Sequence, residues 1–435
     1  MLATAGARPI ARVDLVAKGL KPTPQPDLDR LLQDIGHLAS ICDATTSGST
    51  RRVFSPEYVA GREFVARRMG DAGLDTSYDG VGNLIGTRSG ESGALVTGSH
   101  TDTVDGGGKL DGVLGVLGAI EAIRSLDEAG IQLNHELRVL DFLGEEPNDW
   151  GISCIGSRGL AGELGAYELG CLSPDGTTLE AALAAFGIRA GPATSTAWSQ
   201  GEIHAFVELH IEQGPVLEQA NIPIGVVTGI AGVQRFLIDF HGRRDHAGTM
   251  PMALRHDAAV AAAETIVAVE SATADGHGVG TCGKVEVMPG ALNVVPDLAR
   301  VGVELRSIDG DWISDRRAEV EERARHAGEK RGVTVSFTEL SHEAPTPMHA
   351  IGQAAVSEAA DALGYETMSL ASGAEHDTRR MARLGPAAMI FVPSINGRSH
   401  CPEEDTAPAH LKAGVATLAA TLALLDKQVD LNGLQ

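Results

Sequence analysis

The short apolar run Ala94-Leu95-Val96-Thr97 is followed at once by GSHTDTVDGGGKLDG, residues 98–112, and this junction constrains the chain more than any other feature. The run has the character of an interior strand, and His100, Asp102, Asp105 and Asp111 follow it within twelve residues. Carboxylates gathered so densely repel one another unless a cation neutralises them. Apolar residues at Val113, Val116, Leu117 and Ile120 then predict a helix over residues 112–126. The cluster therefore falls between the end of a strand and the start of a helix, where α/β sheets bind ligands.

Other apolar runs stop in the same way. Residues 136–143 lead to the adjacent pair Glu145-Glu146, and residues 205–210 lead into ELHIEQG with His210 and Glu212. Residues 387–392 precede His400 in NGRSHCPEED. Runs this continuously apolar suit strands of a sheet covered on both faces. His100 with Asp102 two residues on offers a ligand and its orienting partner. The Gly106-Gly107-Gly108 run lets the backbone turn Asp111 back toward His100. Adjacent side chains at a strand end point to different sides, so one of Glu145 and Glu146 can ligate while the other handles a proton. Three histidines, one aspartate and one glutamate make five nitrogen and oxygen donors, a set for two divalent ions if Asp111 bridges them. The segment around Lys109 fails the phosphate-loop pattern at Thr103 and Leu110, and neither G-x-S-x-G nor H-E-x-x-H occurs.

At 435 residues the chain exceeds one ordinary core. Helical spacing runs over residues 31–72, and short β-rich runs alternate with helical ones thereafter. From residue 233 a second pattern begins: strand 234–241, helix 256–271, strands 281–288 and 298–306, helix 312–330, strand 333–340. That βαββαβ order belongs to a ferredoxin-like sandwich. A helix at 348–363, a core strand at 387–392 and a last helix at 409–425 return to the first pattern. The expectation is an α/β fold with domain segments 1–230, 231–343 and 344–435, the middle one inserted.

Charge narrows the function. With 35 basic against 58 acidic residues, the net charge of −23 argues against nucleic acid or an anionic membrane as partner and for a small substrate. Cys42, Cys154, Cys171, Cys282 and Cys401 are odd in number without C-x-x-C spacing, so they read as packing residues in a reducing compartment. No segment reaches the length of a membrane span, and the first twenty residues lack a signal-peptide apolar run. A cytoplasmic location is expected, although Arg8 and Arg12 before Asp14 faintly suggest a transit peptide.

Six ordered motifs carry a family resemblance: GSHTDTVDGGGKLDGVLGVLG, DFLGEEPNDWGISCIGSRGLAG, VELHIEQGPVLE, GRRDHAGTMPM, ALNVVPD and SINGRSHCPEED. Together they resemble the M20-type dinuclear amidohydrolases of the hydantoinase/carbamoylase branch, which includes N-carbamoyl-L-amino acid hydrolases, allantoate amidohydrolases and β-ureidopropionases. The resemblance runs from about residue 31 to the C-terminus. It implies a metallopeptidase-like α/β catalytic domain with an inserted lid that also mediates homodimerisation. It further implies two divalent ions, zinc or manganese, cobalt or nickel, with Asp111 bridging, His100 and His210 on one and Glu146 and His400 on the other. Glu145 would be the general base and Asp102 would orient His100. His246 of DHAG would stabilise the oxyanion across the dimer interface, Asn293 and Arg306 would clamp the substrate carboxylate, and Gln213 would contact the ureido group. Aminoacylase and dipeptidase relatives carry a carboxylate where this chain has His210, which favours the carbamoylase branch. The implied reaction is hydrolysis of a linear C–N bond in an N-carbamoyl-L-amino acid, with allantoate, another ureido acid, or an N-acyl or N-formyl amino acid as alternatives. Two residues depart from the pattern: Leu110 replaces an aromatic, and Glu375 in SGAEHDT replaces a glycine. Glu375 is expected to disfavour a second substrate carboxylate or to pair with a basic substrate group.

Overall fold

The computed structural model describes residues 23–188 and 197–427, so Arg8 and Arg12 lie outside the described residues. The chain divides into two compact units, one formed by Gly229–Pro347 with Ala371–Gly373 and the other by the remaining described residues.

In the larger unit the strands are β1 (Asp75–Tyr78), β2 (Leu84–Arg88), β3 (Glu91–His100), β4 (His135–Phe142), β5 (Ile203–Ile211) and β6 (Ile224–Ile230). The inserted unit follows with β7 (Gly232–His241), β8 (Asp245–His246), β9 (Val279–Met288), β10 (Val294–Val295), β11 (Leu298–Ser307) and β12 (Thr334–Glu343). After it come β13 (Thr346–Pro347), β14 (Thr367–Ser372) and β15 (Ala387–Val392). The longer helices are α1 (Leu28–Ser40), α2 (Pro56–Asp71), α3 (Val113–Glu128), α4 (Ala258–Ala272), α5 (Gly310–Glu329), α6 (Ala350–Ala362) and α7 (Pro408–Leu425).

A nine-stranded sheet runs β1-β2-β4-β3-β5-β15-β6-β13, with β14 also on β6. Its four central strands, β4, β3, β5 and β15, are mutually parallel. Alternation along them divides the core: Leu95, Val139 and Val207 face α1, α2, α3, α6 and α7, whereas Val96, Leu140 and Phe206 face Tyr58, Ile155, Leu160 and Leu183. With both faces covered, every residue of β5 and β15 is buried, and β15 reads as an unbroken apolar run. From β3 the chain crosses through α3 to β4 on one side, and β5 lies on the other side of β3. The crevice at the carboxyl ends of β3 and β5 is thus a topological switch point.

The inserted unit has the sheet order β12-β7-β11-β9, antiparallel throughout. With α4 and α5 packed against it through Phe236, Phe240, Val301, Leu305, Ala261 and Val320, this is the expected ferredoxin-like arrangement.

Two expectations need correction. The helical spacing over 31–72 does not give continuous helix: α1 stops at Ser40, because Thr45-Thr46-Ser47-Gly48 favours turns, and Gly48 takes a φ of +73°. Contrary to the sequence expectation, α7 is long and apolar enough by length and composition to cross a membrane. It is 78% buried inside the larger unit, however, and packs on α3 and α6 as a core helix.

Candidate metal centre

The four parallel strands deliver the candidate donors to one edge. His100 ends β3, His210 lies near the end of β5, Glu145 and Glu146 follow β4, and His400 follows β15. Asp111 stands just before α3, and the turn after it requires glycine: Gly112 has φ +65°, and a Cβ there would lie 2.4 Å from the His100 ring. Both inner histidines are oriented by backbone. His100 Nδ1 lies 3.0 Å from the Asp102 carbonyl, and His210 Nδ1 lies 2.8 Å from the Ile211 carbonyl. Each ring therefore donates through Nδ1 and turns Nε2 toward Asp111.

The Asp111 carboxylate sits between two groups of donors. Oδ1 is 3.1 Å from His210 Nε2 and 3.8 Å from His100 Nε2, while Oδ2 is 3.1 Å from His400 Nε2. Glu146 Oε1 lies 3.5 Å from that same His400 nitrogen. Donors bonded at about 2.0–2.2 Å to one tetrahedral ion stand about 3.3–3.6 Å apart, so both triads have the spacing of a coordination sphere. Glu145 belongs to neither triad, although its Oε2 lies 3.5 Å from His100 Nε2, and its Oε1 accepts from Cys154 Sγ at 3.5 Å.

Electrostatics point the same way. Burial, then Glu146 and Asp377, push Glu145 well above the usual carboxylate range, and burial with Asp111 does the same to Glu146. Burial opposes ionisation of Asp111 too, but hydrogen bonds from His210 and His400 overcome it and hold its carboxyl well below the usual range. The hydrogen bond to Asp111 in turn raises His400 to about 9, and His210 reaches about 9 against the burial that lowers it. Asp111 thus draws positive charge to both of its oxygens, the places a cation in each triad would fill.

The sequence profile of Peptidase family M20/M25/M40 matches residues 96–424. A ureidoglycolate hydrolase of Oryza sativa subsp. japonica is 38% identical over 413 residues, covering 92% of this chain and 85% of the relative. An N-carbamoyl-L-amino acid amidohydrolase of Geobacillus stearothermophilus is 35% identical, covering 91% of this chain and 97% of the relative. The crystal structure of a hydantoinase/carbamoylase family amidase from Burkholderia multivorans superposes with a TM-score of 0.86 at 31% identity, covering 93% of this chain and all of the other. The chain belongs to the M20 family. Within it, the chain groups with the hydantoinase/carbamoylase amidases, and its role at the family level is that of a hydrolase.

Around this M20 centre, several residues do other work than the sequence indicated. Asp102 holds His100 with its carbonyl, whereas its carboxylate accepts from the amides of Glu145 at 3.2 Å and Glu146 at 3.0 Å. Burial raises that carboxyl to about 6 despite those two bonds. Asp105 leaves the cluster to pair with Arg52, and Glu212 accepts from the amides of Val216 and Leu217. Glu404, one of the three acids of PEED, has no signature in the sequence around it. It is buried and accepts from the amides of Leu110 at 2.8 Å and Asp111 at 3.0 Å. Its other oxygen accepts from Ser399 Oγ, which also lies 3.0 Å from Asp111 Oδ2. Gln213 Nε2 donates to Asp111 Oδ2 at 2.8 Å, and its Oε1 is buried without a hydrogen-bond partner. Glu375 is not a free pocket charge, since Arg379 Nε lies 2.9 Å and Arg380 Nη2 3.4 Å from its Oε1. The departure at Leu110 is absorbed into the core.

In the inserted unit, His246 and Asn293 come together, with Ala247 N donating to the Asn293 carbonyl and Val294 opposite His246 in the β8–β10 pair. Arg306 does not join them. In the register of β11 and β7, Leu298 lies opposite His241, at the end that leads to His246, while Arg306 lies opposite Val233 at the other end. At 3.3–3.4 Å per residue those ends are about 27 Å apart. Asn293 and Arg306 of one chain are therefore too far apart to clamp one small carboxylate together. Arg306 donates to Glu304 at 2.7 Å and to the Gly373 carbonyl at 2.7 Å.

Proposed function

We propose that this chain hydrolyses a linear C–N bond of a ureido acid, with an N-carbamoyl-L-amino acid as the leading substrate. The observation that carries the reading is Asp111, whose two oxygens serve separate donor triads beside a buried glutamate that belongs to neither. His100 and His210 would hold one divalent cation, Glu146 and His400 the other, and Asp111 both. Zinc, manganese, cobalt and nickel all suit imidazole and carboxylate donors. Such a pair supplies Lewis acidity toward a carbonyl oxygen and lowers the pKa of water.

The chain's own groups do the rest. Glu145 takes the proton from water and delivers it to the leaving nitrogen, so that the C–N bond breaks as an amine rather than an amide anion. Asp102, bonded to the amides of Glu145 and Glu146, fixes the base relative to the ligand. The unpartnered Gln213 Oε1 is an acceptor suited to a ureido N–H. His246 donates to the developing oxyanion, and Asn293 and Arg306 bind the substrate carboxylate. Because Asn293 and Arg306 of one chain lie so far apart, a single site draws them from two chains, which calls for a homodimer. Exposed Met252, Leu254 and Leu292 near the His246–Asn293 pair favour that reading, since apolar side chains at such a corner gain from being covered.

A second substrate reading, ureidoglycolate or a related ureido acid, is favoured by the rice relative. Ammonia release from N-carbamoyl-L-amino acids, allantoate, ureidoglycolate and N-acetyl or N-formyl amino acids, with amine release scored for the last two, separates these. Turnover of ureido acids that is lost with chelator and in Glu145→Gln is the expected result. Turnover of acyl substrates alone overturns the substrate class, and turnover of none favours a binding role.

A further inference from the structure

The segment from His246 to Arg255 closes on itself. The amides of Thr249 and Met250 both donate to the His246 carbonyl, at 3.3 and 3.1 Å. Pro251 opens the single turn Met252–Leu254, after which Arg255 folds back. Its Nε donates to the Met250 carbonyl at 3.0 Å and its Nη2 to the Ala247 carbonyl. Arg243 Nη2 adds a bond to the Leu254 carbonyl at 3.1 Å. A guanidinium bridging two carbonyls is a rigid fork that a lysine does not reproduce.

Inside this loop the amide of Gly248 donates to His246 Nδ1 at 3.0 Å. A backbone amide only donates, so Nδ1 accepts there and, in the neutral ring, the proton sits on Nε2. The glycine has a steric reason as well: a Cβ at position 248 would lie 3.1 Å from His246 Cε1 and press the ring out of place.

We propose that this loop fixes His246 as the Nε2–H tautomer, a hydrogen-bond donor rather than a proton carrier, with Gly248 and Arg255 as positioning residues. The inference deepens the proposed oxyanion role of His246 and rests on that role for its functional meaning, although the tautomer itself is a property of the loop. A ring aimed and protonated in advance adds no reorganisation when charge develops on the substrate oxygen. The same geometry separates the labour: Glu145 moves the proton, and His246 only donates.

Nitrogen-15 spectroscopy of histidine-labelled full-length protein tests it, with the His246 signals assigned by their disappearance in His246→Gln. The expected result is a protonated Nε2 and an unprotonated, hydrogen-bonded Nδ1 in the wild type. A mixed tautomer or a protonated Nδ1 in the neutral ring overturns the proposal. In Arg255→Gln the tautomer signature should weaken while kcat falls by about 10- to 100-fold with little change in KM. An unaltered signature in that folded variant removes Arg255 as a positioning residue. The functional role is read separately. His246→Gln keeps an N–H near the Nε2 position and should retain more activity than His246→Ala, which should lose about 10²- to 10³-fold. Unchanged activity in His246→Ala would sink the oxyanion role and leave the tautomer result standing.

Discussion

The two units use a β-sheet in opposite ways. The larger one buries both faces of four parallel strands and gathers its chemistry at their carboxyl edge, where His100, Asp111, Glu145, Glu146 and His210 are all nearly buried. The inserted one covers a single face of four antiparallel strands and puts its candidate residues at the two ends, His246 in the open and Arg306 about 27 Å away. A parallel sheet aligns every strand end, so one chain completes a cluster. An antiparallel sheet alternates them, so its two ends serve separate places, and under the proposed function residues for one substrate would come from different copies.

The first half of this contrast breaks most visibly at Glu145. Glu145→Gln keeps the shape of the side chain and removes its proton chemistry. Turnover should fall by about 10²- to 10⁴-fold while bound metal, measured by elemental analysis, stays at the wild-type level. A parallel loss of metal would show that Glu145 ligates and that the division between base and donors is wrong. Glu404→Gln tests the support behind the donors. Its carboxylate holds the amides of Leu110 and Asp111 and, through Ser399, the segment that leads into His400, so metal affinity should weaken by about 10- to 100-fold. Calorimetric titration of the metal-stripped variant reads this directly, and wild-type affinity would reduce Glu404 to a loop anchor.

The second half breaks by mixing. Chains carrying Arg306→Ala and chains carrying His246→Ala should each be nearly inactive, yet their mixture should recover activity. If each site takes Arg306 from one chain and His246 from the other, half the dimers are mixed and one of their two sites is intact, giving about a quarter of wild-type turnover. No recovery after verified subunit exchange would show that both residues act within one chain.

Much of this was legible beforehand, for a reason tied to the sheet. Strands β3, β4, β5 and β15 carry apolar stretches covered on both faces, so the polar residues that follow those stretches stand out, and His100, Glu145, Glu146 and His210 announce themselves. Glu404 does not, because its meaning depends on reaching amides nearly three hundred residues earlier, and nothing local distinguishes it from Glu403 or Asp405. The dual use of Asp102 hides likewise, since its carboxylate meets backbone groups, which have no signature in side-chain spelling. The separation of Asn293 from Arg306 was readable in principle. Asn293 precedes the ten-residue strand β11 and Arg306 is its ninth residue, and a strand of that length holds its ends apart whatever it packs against.

The smallest effect is expected at Glu375, where sequence and structure give different reasons for the same experiment. As a free carboxylate it would repel a second substrate carboxylate directly. In the structure it is shared between Arg379 and Arg380, both buried, so it serves first as a counter-charge. Replacing it with glycine removes one negative charge and leaves two guanidinium groups less compensated. Both changes favour an acidic substrate, but a partly exposed carboxylate of this kind contributes little. Turnover of N-carbamoyl-aspartate relative to N-carbamoyl-alanine should therefore rise by only about 2- to 5-fold in Glu375→Gly. Glu375→Gln separates the two reasons. It keeps a hydrogen-bond acceptor for Arg379 and removes the charge, so a rise equal to that in Glu375→Gly assigns the effect to charge alone. A rise confined to glycine assigns it to release of the arginines, and no rise in either variant takes Glu375 out of substrate selection.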